Sequence, residues 1–367
     1  MIQGGFQHID VEKLLDEASG HFPLPCDTEH VYNRQVLTNN GRTATVYLLQ
    51  NCFDFGEDDV LLLPDYLCLS VIVAVEEPKV RYRFYHINRD LSIDMPSLYA
   101  QLDEHVKGIY LIHYFGVPYE LETIQELQTI SRERGIPLVE DITQTLLTCV
   151  PGRMGFADYI VSSTRKWFPT TDGGILAVRD GAPMREVPLG DPYNEAAYKQ
   201  LLISFLRDYY DAHPERDLME YAALEQKANK ARYVDLSPRG MTEYSRNIMF
   251  HCDLDAIARI RVENYLRLYD RLSAIPQVRI LSKPITAGDG CIPFGLVILV
   301  EDRDAFHQAM IRKGILGEIQ WILPLDYYDP GQDARYLADH NVMLQCDQRY
   351  TPADMDEIAD TIAAYFS

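Results

Sequence analysis

The sequence predicts an α/β fold: a mostly parallel sheet flanked by helices, followed by a smaller C-terminal α+β unit. Three observations carry that prediction. Short, wholly apolar runs alternate with amphipathic stretches over the first half of the chain, as buried parallel strands and their covering helices do. Polar and charged residues cluster just after those runs, where ligands of such sheets bind. The alternation stops after Val178, where long helical patterns and a few isolated strands take over.

In chain order, Val11 to Ala18 reads as a short amphipathic helix, followed by a connection through Pro23 and Pro25. Residues 1–30 are therefore expected to form an arm, residues 31–238 a large domain and residues 239–367 a small one. Asn39-Asn-Gly-Arg-Thr-Ala places turn formers before an apolar helix start. That is the outline of an anion seat at a helix N-terminus, with Arg42 adding charge and Thr43 a hydroxyl; taken alone such a segment is more often a plain loop and cap. Val60 to Leu63 reads as a buried strand, Cys68 to Val75 as helix or strand, Val80 to His86 as a strand and Met95 to His105 as a helix. Gly108 to His113 is a second buried strand, and Leu121 to Arg134 an amphipathic helix stopped by Gly135. Ile136 to Val139 is the next strand and ends at Glu140-Asp141. Tyr159 to Val161 leads through three hydroxyls to Lys166, and the Gly173-Gly174 pair opens another apolar run.

Beyond Val178, Glu195 to Ala212 and Pro214 to Tyr233 read as long helices, and residues 237–253 as a loop carrying Tyr244 to Asn247. Leu254 to Ile275 is a long helix. Strands at Val278 to Leu281 and Phe294 to Val300, a helix at Arg303 to Lys313, a strand at Met343 and a last helix from Pro352 to Tyr365 complete the small unit.

Composition narrows the function classes. The 367 residues, 47% hydrophobic and 24% charged, suit an ordinary globular chain. A formal charge of −21 argues against a nucleic-acid or anionic-membrane partner, both of which want a basic footprint. The N-terminus lacks the basic and apolar regions of a signal peptide, and no apolar run is long enough to span a membrane. Seven scattered cysteines without Cys-x-x-Cys spacing, and ten histidines without metal spacing, point to a reducing cytoplasm and to no metal.

The chemistry lies between Leu138 and Val178. A carboxylate, Asp141, ends one apolar strand with Gln144 just after it; a lysine, Lys166, follows the next strand by way of Ser163. A pyridoxal 5'-phosphate site needs this pair, since the lysine forms a Schiff base and the carboxylate holds the pyridine nitrogen protonated. The bland readings are a surface lysine in Arg-Lys-Trp and a helix cap at Asp141. His113 serves either a site or a buried hydrogen bond. Tyr209, Tyr210, Tyr327 and Tyr328 serve either a pocket or the core.

Taken in order, Asn40-Gly-Arg-Thr-Ala, Leu63-Pro-Asp-Tyr, Ile112-His-Tyr-Phe-Gly, Val139-Glu-Asp-Ile-Thr-Gln and Lys166 followed by Asp172-Gly-Gly resemble the DegT/DnrJ/EryC1/StrS family of fold type I pyridoxal-phosphate aminotransferases. The helix Arg261 to Leu272 resembles the family's Arg-rich helix. The resemblance implies a homodimer that moves an amino group from an amino acid such as glutamate to a nucleotide-linked keto-sugar. Lys166 and Asp141 would be catalytic, and Gly41, Arg42, Thr43, Cys68, Gln144 and Ser163 would complete the cofactor site. Cys68 stands where the family often places an aromatic over the ring, and Lys166 argues against the related dehydratases, which carry histidine there. The family's phosphate-binding serine aligns with Val161, and Tyr244 to Asn247 is the nearest match to its Gly-x-Asn-x-Arg segment. These departures keep two alternatives open: a non-catalytic binding or regulatory protein, and a lyase-type pyridoxal-phosphate reaction.

Overall fold

The computed structural model describes residues 11–193, 195–213, 218–231, 235–281 and 283–367. The first ten residues of the expected arm, and the ends Pro214 and Tyr233 of the second expected long helix, lie outside them. The rest of the arm forms one 3₁₀ segment, Val11–Leu15, rather than a helix to Ala18.

The large sheet is built from β1 (Arg34–Thr38), β2 (Val60–Pro64), β3 (Arg81–Tyr85), β4 (Val106–Ile112), β5 (Leu138–Asp141), β6 (Tyr159–Ser163) and β7 (Gly174–Val178). Its spatial order is β1-β7-β6-β5-β4-β2-β3. β3 through β6 run parallel, and β7 turns the sheet antiparallel to both β6 and β1. The helices α1 (Gly41–Asn51), α2 (Leu69–Glu76), α3 (Met95–Gln101) and α4 (Leu121–Arg134) fill the crossovers. Of these, α4 shows its design most plainly. Ile124, Leu127 and Ile130 bury one face, and Gly135 closes the helix at φ 66°, a left-handed position that favours glycine. The ambiguous stretch after Cys68 is a helix, capped by the Cys68 side chain.

Two helices, α5 (Glu195–Ala212) and α6 (Leu218–Ala231), follow β7, with Ile203, Tyr210, Tyr221 and Ala228 forming a small core between them. Residues 237–253 are not all loop, because α7 spans Glu243–Phe250. The long α8 (Leu254–Ser273) leads to a three-stranded antiparallel sheet of β8 (Arg279–Ile280), β9 (Leu296–Leu299) and β10 (Asn341–Leu344). Around it lie α9 (Arg303–Arg312), α10 (Gln332–His340) and α11 (Pro352–Phe366). The apolar residues form one core around the large sheet and another beneath α8, β9 and α11. No helix among the described residues is long and apolar enough to cross a membrane.

Candidate active site

The parallel strands β4, β5 and β6 end side by side at Ile112, Asp141 and Ser163, and all three residues line one cavity of about 220 Å³. Gly41, Arg42, Cys68, Gln144 and Lys166 line it as well. The sheet therefore brings seven of the eight expected site residues to one place. Thr43 alone is not in the lining: its hydroxyl closes a capping box with Asn40 and donates to Asn39 Oδ1 at 2.6 Å.

Asp141 is held from two sides. The Thr143 N–H donates to Oδ1 at 2.9 Å, and the Tyr110 hydroxyl donates to Oδ2 at 2.8 Å. Burial, reinforced by the charge of Asp141, raises the Tyr110 phenol well above its ordinary range, so it stays protonated and remains a donor.

Lys166 ends a 3₁₀ turn, Thr164–Lys166, whose closure follows from its neighbour. Trp167 is fully buried; its indole N–H donates to Thr143 O at 2.8 Å, and its ring lies 4.4 Å from the Arg261 guanidinium. Arg261 is anchored in turn on the carbonyls of Pro293 and Phe294 at 3.2 and 3.1 Å. Arg-Lys-Trp is thus no surface segment, because the tryptophan pins the backbone while the Lys166 amine lies 5.6 Å from the Phe294 ring.

Thr143 joins the two halves. Besides its bond to Asp141, its hydroxyl accepts from Ser163 N–H at 3.1 Å and its carbonyl accepts from Trp167. One residue thereby fixes the carboxylate loop relative to the lysine loop.

At one end of the cavity the first turn of α1 approaches β6. A Cβ on Gly41 would stand 3.0 Å from Ser163 Cβ, and one on Gly174 would stand 2.3 Å from the Asn40 carbonyl. Only glycines allow this approach, which sets the first-turn N–H groups of α1, lacking i−4 carbonyls, beside the Ser163 side chain and the Ser162 backbone. Ser162 Oγ is buried with no hydrogen-bond partner among the described residues, and Arg42 and Arg165 bring positive charge to the same wall. An orphan hydroxyl, a helix N-terminus and two guanidinium groups suit a phosphate ester. The carboxylate suits a pyridinium and the lysine amine an aldehyde. The residues fit pyridoxal phosphate.

Other expected residues take different places. Gln144 is tied on both edges, accepting from Phe115 N–H at 3.1 Å and donating to Gln320 Oε1 at 3.1 Å. His113 is fully buried against Glu140 at 3.0 Å, away from the cavity lining, and that carboxylate also accepts the N–H groups of residues 155–157. Asn247 clamps the chain's own N-terminal region, accepting from Ala18 N–H and donating to Leu14 O, both at 3.0 Å. Tyr110 and Trp321 are cavity residues that the sequence reading does not single out. Trp321 supplies an aromatic wall that Cys68 does not, packing on Tyr66 with ring centroids 5.4 Å apart.

Residues 28–188 match the sequence model of the DegT/DnrJ/EryC1/StrS aminotransferase family. Among solved structures, the chain is similar to the aminotransferase TlmJ from Streptoalloteichus hindustanus, at 19% identity and TM-score 0.70, covering 99% of this chain and 97% of that one. It is similar to Helicobacter pylori PseC, an aminotransferase involved in pseudoaminic acid biosynthesis, at 14% identity and TM-score 0.71, covering 100% and 98%. It is also similar to the sugar aminotransferase CalS13 from Micromonospora echinospora, at 16% identity and TM-score 0.67, covering 99% and 98%. At these identities the structural likeness shows the fold.

Proposed function

From the match of residues 28–188 to the sequence model of the DegT/DnrJ/EryC1/StrS aminotransferase family, we propose that this chain is a pyridoxal-phosphate-dependent aminotransferase that takes an amino group from glutamate or a similar amino acid and gives it to a keto-sugar. One observation carries the reading: Asp141 and Lys166 line the same cavity, with the N-terminus of α1 at its edge. The similarity to TlmJ, PseC and CalS13 supports it.

Bound pyridoxal phosphate would supply an electron sink for breaking and making bonds at the amino-bearing carbon. The chain's own residues would bind, orient and move protons. The α1 N-terminus, Arg42 and the Ser162 and Ser163 hydroxyls would hold the phosphate. Asp141, oriented by Thr143 and Tyr110, would hold the ring nitrogen protonated. Lys166 would hold the cofactor's aldehyde carbon, and its Nζ would serve as the acid and base that moves a proton. The buried Trp167 keeps that amine in range. Trp321 would supply the aromatic wall against which the ring could pack.

A homodimer follows from the family resemblance and is tested by sedimentation. The seven cysteines are all free thiols, which supports the cytoplasm as the working compartment.

The test is product formation. The full chain, supplied with glutamate and a panel of nucleotide-linked keto-hexoses, forms 2-oxoglutarate, and Lys166→Ala forms it at least on the order of 100-fold more slowly. A cofactor-loaded chain that yields none with any keto-sugar would turn the reading toward a non-catalytic protein.

A further inference from the structure

A line of hydrogen bonds runs from the cofactor cavity into the C-terminal unit, and every bond in it points the same way. The Phe115 N–H donates to Gln144 Oε1 at 3.1 Å, Gln144 Nε2 donates to Gln320 Oε1 at 3.1 Å, and Gln320 Nε2 donates to Glu318 Oε2 at 2.8 Å. We propose that Glu318 and Gln320 are positioning residues: they fix which edge of the Gln144 amide meets the cavity, so that it offers an N–H to the ionised ring oxygen of the cofactor. The inference rests on the aminotransferase reading above. It goes beyond that reading by giving a role to two residues outside the cavity lining.

The direction of the line is set at both ends. A backbone N–H only donates, so it draws the oxygen of Gln144; a carboxylate only accepts, so it draws the nitrogen of Gln320. Gln320 then turns its oxygen to Gln144, which answers with nitrogen. Either amide turned around would set oxygen against oxygen or nitrogen against nitrogen. Of the two N–H bonds on Gln144 Nε2, one goes to Gln320 and the other is left for the cavity that Gln144 lines. Bonds aligned in this way polarise and strengthen one another.

The backbone around the line is held as well. Gln320 is 4% exposed; its N–H donates to Asn341 Oδ1 at 2.6 Å, and its carbonyl accepts from the Tyr66 hydroxyl. Glu318 exchanges both backbone bonds with Met343, at 2.9 and 2.8 Å, and its other carboxylate oxygen accepts from Gln345 Nε2 at 2.9 Å. The next residue along is Trp321, a wall of the same cavity, so one segment delivers both the aromatic wall and the order of the amide. Glu318 itself is exposed, so its carboxylate can be replaced without emptying the core.

The test reads, by absorbance on the full chain loaded with pyridoxal phosphate, the pH at which Lys166 Nζ, joined to the cofactor, gives up its proton. A donor held on the ring's ionised oxygen weakens that oxygen's hold on the proton and lowers this pH; loosening the donor raises it. Glu318→Gln keeps the shape but lets the line run in either direction, and should raise the pH by on the order of half a unit. Loss of a negative charge by itself would lower it, so the sign separates the relay from bulk charge. Gln320→Met, of nearly equal volume, cuts the line and should raise the pH by about one unit; the double variant should match Gln320→Met alone, because both changes act on one line. Gln345→Met removes the other amide from Glu318, leaves the line intact and should not move the pH. A single variant of Glu318 or Gln320 that leaves the pH unchanged or lowers it, or two shifts that add in the double variant, overturns the proposal. Where Gln320→Met folds poorly, Glu318→Gln against Gln345→Met still decides, and equal effects of the two overturn it. A wild-type chain with no cofactor band refutes the aminotransferase reading instead, whereas a band blind to Glu318 refutes the positioning role alone.

Discussion

Asp172→Asn removes one ionisable group from the wall of the cofactor cavity, and its effect on stability follows from the burial of that carboxyl. Desolvation lifts its pKa from an ordinary 3.8 to about 6, against the lowering effect of hydrogen bonds from Ser245 and Thr242. Because the folded state binds this proton more tightly than the unfolded chain, the group stabilises the fold at low pH, and that contribution disappears as pH rises through 6. The full shift of about two pH units corresponds to about 3 kcal/mol below pH 3.8. At pH 5 about 1.4 kcal/mol of it remains, and at pH 7.5 essentially none. Asparagine keeps an acceptor for Thr242 and does not titrate. Urea unfolding of both proteins between pH 5 and 7.5 should therefore show the variant gaining about 1.4 kcal/mol on wild type across that window, most of it below pH 6.5. A stability difference that is flat with pH, or that falls as pH rises, would show that Asp172 is not the buried, proton-retaining group described.

Three further substitutions test how the site is held. Thr143→Val removes the hydroxyl that accepts from Ser163 N–H while keeping the side chain's shape; it should cost about 1–3 kcal/mol in stability and raise the dissociation constant for pyridoxal phosphate about tenfold, read by fluorescence titration. Gly174→Ala sets a methyl 2.3 Å from the Asn40 carbonyl and must push the α1 N-terminus off β6; cofactor retention through gel filtration should fall sharply. Arg261→Ala strands the carbonyls of Pro293 and Phe294 and uncovers Trp167, so urea unfolding should report a loss on the order of 3 kcal/mol or more.

Elements that bury both faces of a strand or one face of a long helix were legible in the sequence. Val60–Pro64 is buried throughout, and its apolar run says so. Leu121–Arg134 announces itself by period and by its closing glycine. β1 does not: Arg34–Thr38 is half-buried and polar, and its strand state depends on pairing with β7, which lies some 140 residues away. α7 and α10 are short, and neither cap bonds the first turn of its own helix: Gly331 has no side chain and the Thr242 hydroxyl donates to Asp172 instead. The same division runs through the site. Asp141 and Lys166 stand at strand ends and were readable from their neighbours. Tyr110 is an inward residue of an ordinary buried strand, and only the register of β4 on β5 shows that its hydroxyl meets Asp141. Trp321 reaches the cavity from the far unit of the chain, and no local pattern marks it. Thr43 shows a related ambiguity: its hydroxyl suits a phosphate or a helix cap, and in this structure it closes the cap of α1.

The most direct test of the account is to locate the cofactor on the chain. Purified protein incubated with pyridoxal phosphate should develop an absorbance band near the visible edge; borohydride should abolish the band, and peptide mass analysis should then find the reduced cofactor on Lys166. Lys166→Ala should show neither band nor adduct. A wild-type chain that takes up no cofactor, or that carries it on a different lysine, would contradict the assignment of this cavity.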